Sequence, residues 1–66
     1  MEIMLNGEPR KISGELTLAQ LIDHFELPKQ RVAVELNRNV VRRVEWETTK
    51  VANADRIEVI HFVGGG

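Results

Sequence analysis

The sequence closes on Val63-Gly64-Gly65-Gly66, three glycines set directly after a run rich in apolar and β-branched residues. Glycine has no side chain to react or to obstruct, and its backbone can approach another surface closely. Fully extended, these four residues reach about 13 Å. The reactive group on such a thread is the α-carboxylate of Gly66, an acceptor that can be activated as an acyl-adenylate. AMP is then the leaving group for a sulfur donor or an amine. Gly64 and Gly65 suit a narrow tunnel leading to a nucleotide site, which side chains would block. Residues 63–66 are expected to be a flexible tail. The bland alternative is a frayed end or the remnant of a linker.

Other chemistry is scarce. There is no cysteine among the 66 residues, which removes disulfides, thiolate nucleophiles and cysteine-ligated zinc. His24 lies beside Asp23 on a helical stretch and is expected to be solvated. His61 adjoins the tail, but one imidazole without companions is not a metal site. Asp23, Glu26, Glu45 and Glu47 read as solvated charges, because paired-carboxylate chemistry needs a cleft that a domain this small does not form. Trp46, a lone aromatic, is expected to pack on a sheet edge. No catalytic residue is expected, and residues 1–66 are read as one domain that acts as a carrier or cosubstrate rather than an enzyme.

Nine basic residues against ten acidic give a net charge of −1, and nucleic-acid binders show basic faces instead. The nearest basic cluster, Arg38, Arg42 and Arg43, is followed by Glu45 and Glu47. No apolar run approaches the roughly 20 residues that span a bilayer. The opening Met1-Glu2-Ile3-Met4-Leu5 lacks a cationic region and a cleavage site, so a cytoplasmic protein with no membrane partner is expected.

The elements that must position the tail follow from periodicity. Ile3 and Leu5 alternate with Glu2 and Met4 as a half-buried strand. Asn6-Gly7 predicts a type I′ hairpin turn. The return strand, Glu8 to Ile12, contains Pro9 and belongs at an edge. Thr17-Leu18-Ala19-Gln20 is a capping box, with Leu16 placed for a hydrophobic staple. Leu18, Leu21, Ile22 and Phe25 form one helical face that Leu27-Pro28 ends. Val32, Val34 and Leu36 alternate inward in a further strand, and Asn37-Arg38-Asn39 turns the chain. Val40-Val41 and the stretch from Val44 to Thr49 read as short or edge strands. After Asn53-Ala54-Asp55, the last strand, Arg56 to Val63, is the most apolar. It fits a central position, parallel to the first strand.

Asn6-Gly7-Glu8-Pro9-Arg10, the helix Thr17 to Ile22, the block Arg31 to Asn37 and the closing run Asp55 to Gly66 together resemble the ThiS family. These are sulfur carrier proteins of thiamine thiazole biosynthesis, related to ubiquitin. The ending His61-Phe62-Val63-Gly64-Gly65-Gly66 is the most specific part. The resemblance implies an α+β, ubiquitin-like β-grasp fold, a mixed four- to five-stranded sheet with one main helix on one face. It also implies a ThiF-type adenylyltransferase that consumes ATP and Mg to adenylate the Gly66 carboxylate. Sulfur from a cysteine desulfurase would then give a thiocarboxylate, which donates sulfur to a ThiG-type thiazole synthase. The carrier itself binds no cofactor in this scheme. Three turn positions depart from the family pattern: Arg38 and Ala54 stand where glycine is often found, and Arg42 where proline is frequent. One of Asn37, Asn39 and Asn53 is expected to adopt positive φ in compensation.

Alternation gives a docking surface. With Ile57 and Val59 facing the helix, Glu58, Ile60 and Phe62 face outward beside the tail. Two large apolar residues there predict a partner patch of Ile60, Phe62 and Val63, with Glu58 and Met4 as extensions. The alternative is that Phe62 folds over the sheet edge or that a loop covers both. Two other functions share the activation step, a molybdopterin-type sulfur carrier and a ubiquitin-like modifier. A passive β-grasp interaction module is the third.

Overall fold

Ile3 and Leu5 of β1 (Glu2–Leu5) are buried while Glu2 is exposed, so the alternation read from sequence selects the core face. The computed structural model describes residues 1–62. Asn6 and Gly7 take φ of 50° and 81°, the paired positive values of a type I′ turn. They lead into β2 (Glu8–Lys11), an exposed edge strand in which Pro9 lies opposite Met4. Ile12 falls just beyond the strand. It is buried, and its N–H donates to the carbonyl of Met1 at 2.9 Å.

Leu16 and Thr17 form a short strand, β3 (Leu16–Thr17), and Thr17 also caps α1 (Leu18–His24). Both arms of the capping box are present. Gln20 N–H donates to Thr17 Oγ1 at 3.2 Å, and Thr17 N–H donates to Gln20 Oε1 at 2.9 Å. Leu18, Leu21 and Ile22 are buried, and Phe25 is half-buried just past the helix. The helix stops earlier than Leu27-Pro28 suggests, because a Schellman motif closes it first. Glu26 N–H bonds the carbonyl of Asp23 at 3.1 Å and Leu27 N–H that of Ile22 at 2.9 Å. Glu26, at φ 53°, occupies the left-handed position that glycine usually takes.

β4 (Val32–Leu36) and β5 (Asn39–Val41) form the second hairpin of the main sheet. Asn37 has positive φ, 51°, as expected; Asn39 and Asn53 do not, whereas Arg38 at 72° and Ala54 at 71° do. The compensation therefore falls largely on the substituted positions themselves. Leu36 opposite Asn39 leaves a two-residue loop, and a type I′ loop demands positive φ at both central residues whatever they are. The stretch from Val44 to Thr49 corrects the sequence reading, since it is not strand. Arg43–Glu45 is a single 3-10 turn, and the hydroxyls of Thr48 and Thr49 donate to the carbonyl of Glu45 at 3.2 and 2.6 Å. Within this stretch Trp46 alone is buried, its Nε1–H donating to the carbonyl of Val41 at 3.0 Å on the edge strand. Anchoring that one ring breaks the alternation a strand would need.

β6 (Lys50–Val51) pairs with β3, and β7 (Arg56–His61) takes the centre of the five-stranded sheet β2-β1-β7-β4-β5. It runs parallel to β1 and antiparallel to β4. The mixed sheet with one helix across a single face is the expected β-grasp arrangement. Ile3, Leu18, Leu21, Ile22, Val34 and Ile57 are nearly inaccessible. Each is worth about 1.5–3 kcal/mol of burial, a large share of the stability of so small a domain.

Candidate functional site

The strand that leads toward the tail is held hardest at its start. Asp55 accepts from Asn37 Nδ2 at 3.0 Å through one carboxylate oxygen and from Ala52 N–H at 2.7 Å through the other. Asn37 returns the contact, its Oδ1 accepting from Arg56 N–H at 2.9 Å and its N–H donating to the Arg56 carbonyl at 2.7 Å. Asn53 Oδ1 takes Glu2 N–H at 2.9 Å, and Ala54 N–H donates to the Glu2 carbonyl at 2.7 Å. Side chains and backbone thus lock the Asn53–Arg56 corner to β1 and β4.

The far end of β7 is exposed. Ile60 and Phe62 show 43% and 55% of their surfaces to solvent, on the face away from α1. Phe62 N–H donates to the carbonyl of Arg31 at 2.7 Å, which carries the pairing one residue past the strand. Arg31 itself holds φ 58°. Ala33 lies opposite Ile60, and Glu35 opposite Glu58. Two carboxylates directly across one another repel modestly, and they rim the apolar pair with negative charge. Sequence alone puts Glu58 in this patch; Glu35 joins only through strand register.

Met4 shares the outer face but sits beside Arg56, four residues from Ile60 and so about 13 Å away along the strand. The geometry groups Glu58, Ile60 and Phe62 and leaves Met4 apart. Val63 and the expected sulfur-bearing tail, Gly64, Gly65 and Gly66, lie outside the described residues. His61 is exposed opposite Val32, and His24 is exposed with its ring edge-on to Phe25 at 4.8 Å. Among the described residues no group of three His, Asp or Glu side chains could hold a metal, and no helix is long and apolar enough to cross a membrane.

Asn6 is the contributor that sequence reading placed only in a turn. Its Oδ1 accepts the Val59 N–H at 2.8 Å, while its own N–H donates to the Ile57 carbonyl at 2.9 Å. Asn-Gly signals the turn, but nothing local signals a bond across 53 residues.

Known proteins share this fold. The ThiS family model matches residues 3–66. The crystal structure of a thiamine biosynthesis protein (ThiS) from Geobacter metallireducens superposes with a TM-score of 0.88 at 32% identity, covering 100% of both chains. The sulfur carrier protein ThiS of Bacillus subtilis is 31% identical over 65 residues, 97% of this chain and 98% of that protein. A thiazole synthase of Magnetococcus marinus is 41% identical over 66 residues, 100% of this chain. The chain spans 20% of the length of that protein and of a second thiazole synthase, from Paramagnetospirillum magneticum. With the sheet order, the capped helix and the glycine-rich ending all in place, the chain belongs to the ThiS family.

Proposed function

We propose that this protein is a sulfur carrier of thiamine thiazole biosynthesis and that the Gly66 carboxylate is its working group. The observation that carries the reading is the family match through residue 66, on a chain whose sequence continues after the central strand and Phe62 as Val63-Gly64-Gly65-Gly66. The carboxylate attacks the α-phosphorus of ATP on a partner adenylyltransferase that supplies Mg, and pyrophosphate leaves. A persulfide whose outer sulfur comes from a cysteine desulfurase then attacks the acyl carbon and AMP leaves, giving an acyl disulfide. A second thiol attacks the carrier-distal sulfur of that disulfide, forming a new disulfide and releasing the thiocarboxylate. The thiocarboxylate delivers its sulfur to a thiazole synthase. The match of this chain to a fifth of two thiazole synthases supports that last partner.

In this scheme the chain is a cosubstrate. Ile60, Phe62 and Val63, with Glu58, dock the activating enzyme, while Gly64 and Gly65 pass through its tunnel. Mass spectrometry of the C-terminal peptide after incubation with the cognate adenylyltransferase, ATP, Mg and the desulfurase tests the proposal. The expected result is a gain equal to replacing one oxygen of Gly66 by sulfur. An unmodified peptide in a system that activates another ThiS protein overturns it.

A further inference from the structure

The β4–β7 ladder decides which way each backbone group of β7 points. Phe62 N–H reaches the Arg31 carbonyl and Asn37 N–H the Arg56 carbonyl, both at 2.7 Å. The even-numbered residues therefore turn their N–H and C=O groups to β4, and the odd-numbered ones turn theirs to β1. On that side Met4 N–H donates to the Asp55 carbonyl and Asn6 N–H to the Ile57 carbonyl, both at 2.9 Å. β1 ends at Leu5. The next amide along, Val59 N–H, is taken by the Asn6 side chain. The C=O of Val59 and both backbone groups of His61 face the same way, and among the described residues no strand lies beside them. β7 is a central strand in its first half and an edge strand in its second.

Exposed edges invite pairing, and proteins usually blunt them. The two outer strands of this sheet are blunted. β2 carries Pro9 among Glu8, Arg10 and Lys11, and β5 is three residues long and followed by Arg42 and Arg43. The open half of β7 with the residue that follows it, Val59-Ile60-His61-Phe62, contains no proline, lysine, arginine or acidic residue. Adjoining it through Asn6 lies a groove of about 370 Å³, lined by Leu5, Phe25 and Leu27 together with Asn6 and the Glu8–Arg10 ion pair.

We infer that this half-strand is a β-augmentation site for one extended strand of the enzyme that takes the Gly66 carboxylate. The inference rests on the carrier function proposed above. That strand pairs with the open groups of Val59 and His61 and seats an apolar side chain in the Leu5–Phe25–Leu27 groove. The occupant follows from continuity. Gly64, Gly65 and Gly66 offer a partner only backbone groups to read, and reading backbone is what an added strand does. Phe62 is followed in sequence by Val63 and these three glycines, so the open edge and the ending are continuous along the chain.

Amide hydrogen exchange of the full chain, free and with the cognate adenylyltransferase, tests this together with His61→Pro. Proline at 61 removes an N–H that the β4 ladder does not use, so the variant keeps its fold, checked by its amide spectrum. The expected results are at least tenfold slower exchange of the His61 amide in the complex and about tenfold weaker binding of His61→Pro, the loss of roughly one well-made hydrogen bond. A complex that forms with His61 exchanging as in the free chain overturns the augmentation and leaves the carrier function standing. So does equal weakening in His61→Ala, which assigns the effect to the imidazole. His61 protected in the free chain, with a dimer in sedimentation, makes the occupant a second copy instead. No complex with the adenylyltransferase sinks the carrier reading, and this inference with it.

Discussion

The two halves of β7 share one backbone and one neighbour, β4, and differ in what stands on the other side. The first half, Arg56 and Ile57, has β1 alongside. It also has the Asn37–Asp55 clasp at its head and Ile57 sealed in the core at 1% exposure. The second half has one amide tied by a side chain, an open run of backbone and the exposed Ile60, with exposed Phe62 just past it. The difference separates two jobs along six residues. One end is fixed to the domain, and the other is left available next to the segment proposed above to carry the chemistry.

That separation can be broken from either end. Ile57→Ala removes a fully enclosed side chain, and truncations of this kind cost about 2–5 kcal/mol. The melting midpoint followed by circular dichroism should fall by about 8 °C or more, taking about 4–8 °C per kcal/mol for a domain of this size. A fall of only a degree or two would show that the first half is not the anchor. Asp55→Ala leaves Asn37 Nδ2 and Ala52 N–H without their acceptor, at about 1–3 kcal/mol in a denaturant titration. Activation by the adenylyltransferase, measured below the unfolding transition, should not change.

Phe62→Ala should reverse the pattern. Its stability should stay within about 0.5 kcal/mol of the parent, as surface substitutions do. The rate of thiocarboxylate formation should drop roughly tenfold, the scale of a docking residue. Normal activation would remove Phe62 from the partner surface. The smallest effect is expected beside the clasp: Ala54→Gly relieves a left-handed alanine and should raise stability by about 0.5–1 kcal/mol, the strain relieved less the entropy glycine adds to the unfolded chain. Lower stability would mean that Ala54 contributes packing beyond its backbone.

Much of the fold was legible because several features are local. The capping box needs only Thr17 and Gln20, the Asn6-Gly7 turn only two residues, and the burial of Ile3, Leu5, Leu18, Leu21, Ile22 and Ile57 only period. The end of α1 was not, since Glu26 accepts a left-handed conformation that its type does not advertise. Nor was the path from Val44 to Thr49, where burial of one indole outweighs strand propensity. In the candidate site, the outward pair Ile60 and Phe62 follows from alternation. Glu35 enters because register sets it opposite Glu58, and Met4 leaves because its parallel register places it beside Arg56.

From the sequence alone come the glycine-rich ending, the absence of thiols, the inward and outward faces of each strand, and the family. All of these depend on residue identity and short-range periodicity. Only the tertiary structure decided that β1 stops two residues into its pairing with β7 and that Asn6 reaches across to Val59. The open edge beside Phe62 follows from the same geometry. An edge exists by virtue of what does not pair with it, and pairing between residues more than fifty positions apart is set by packing the whole sheet against α1.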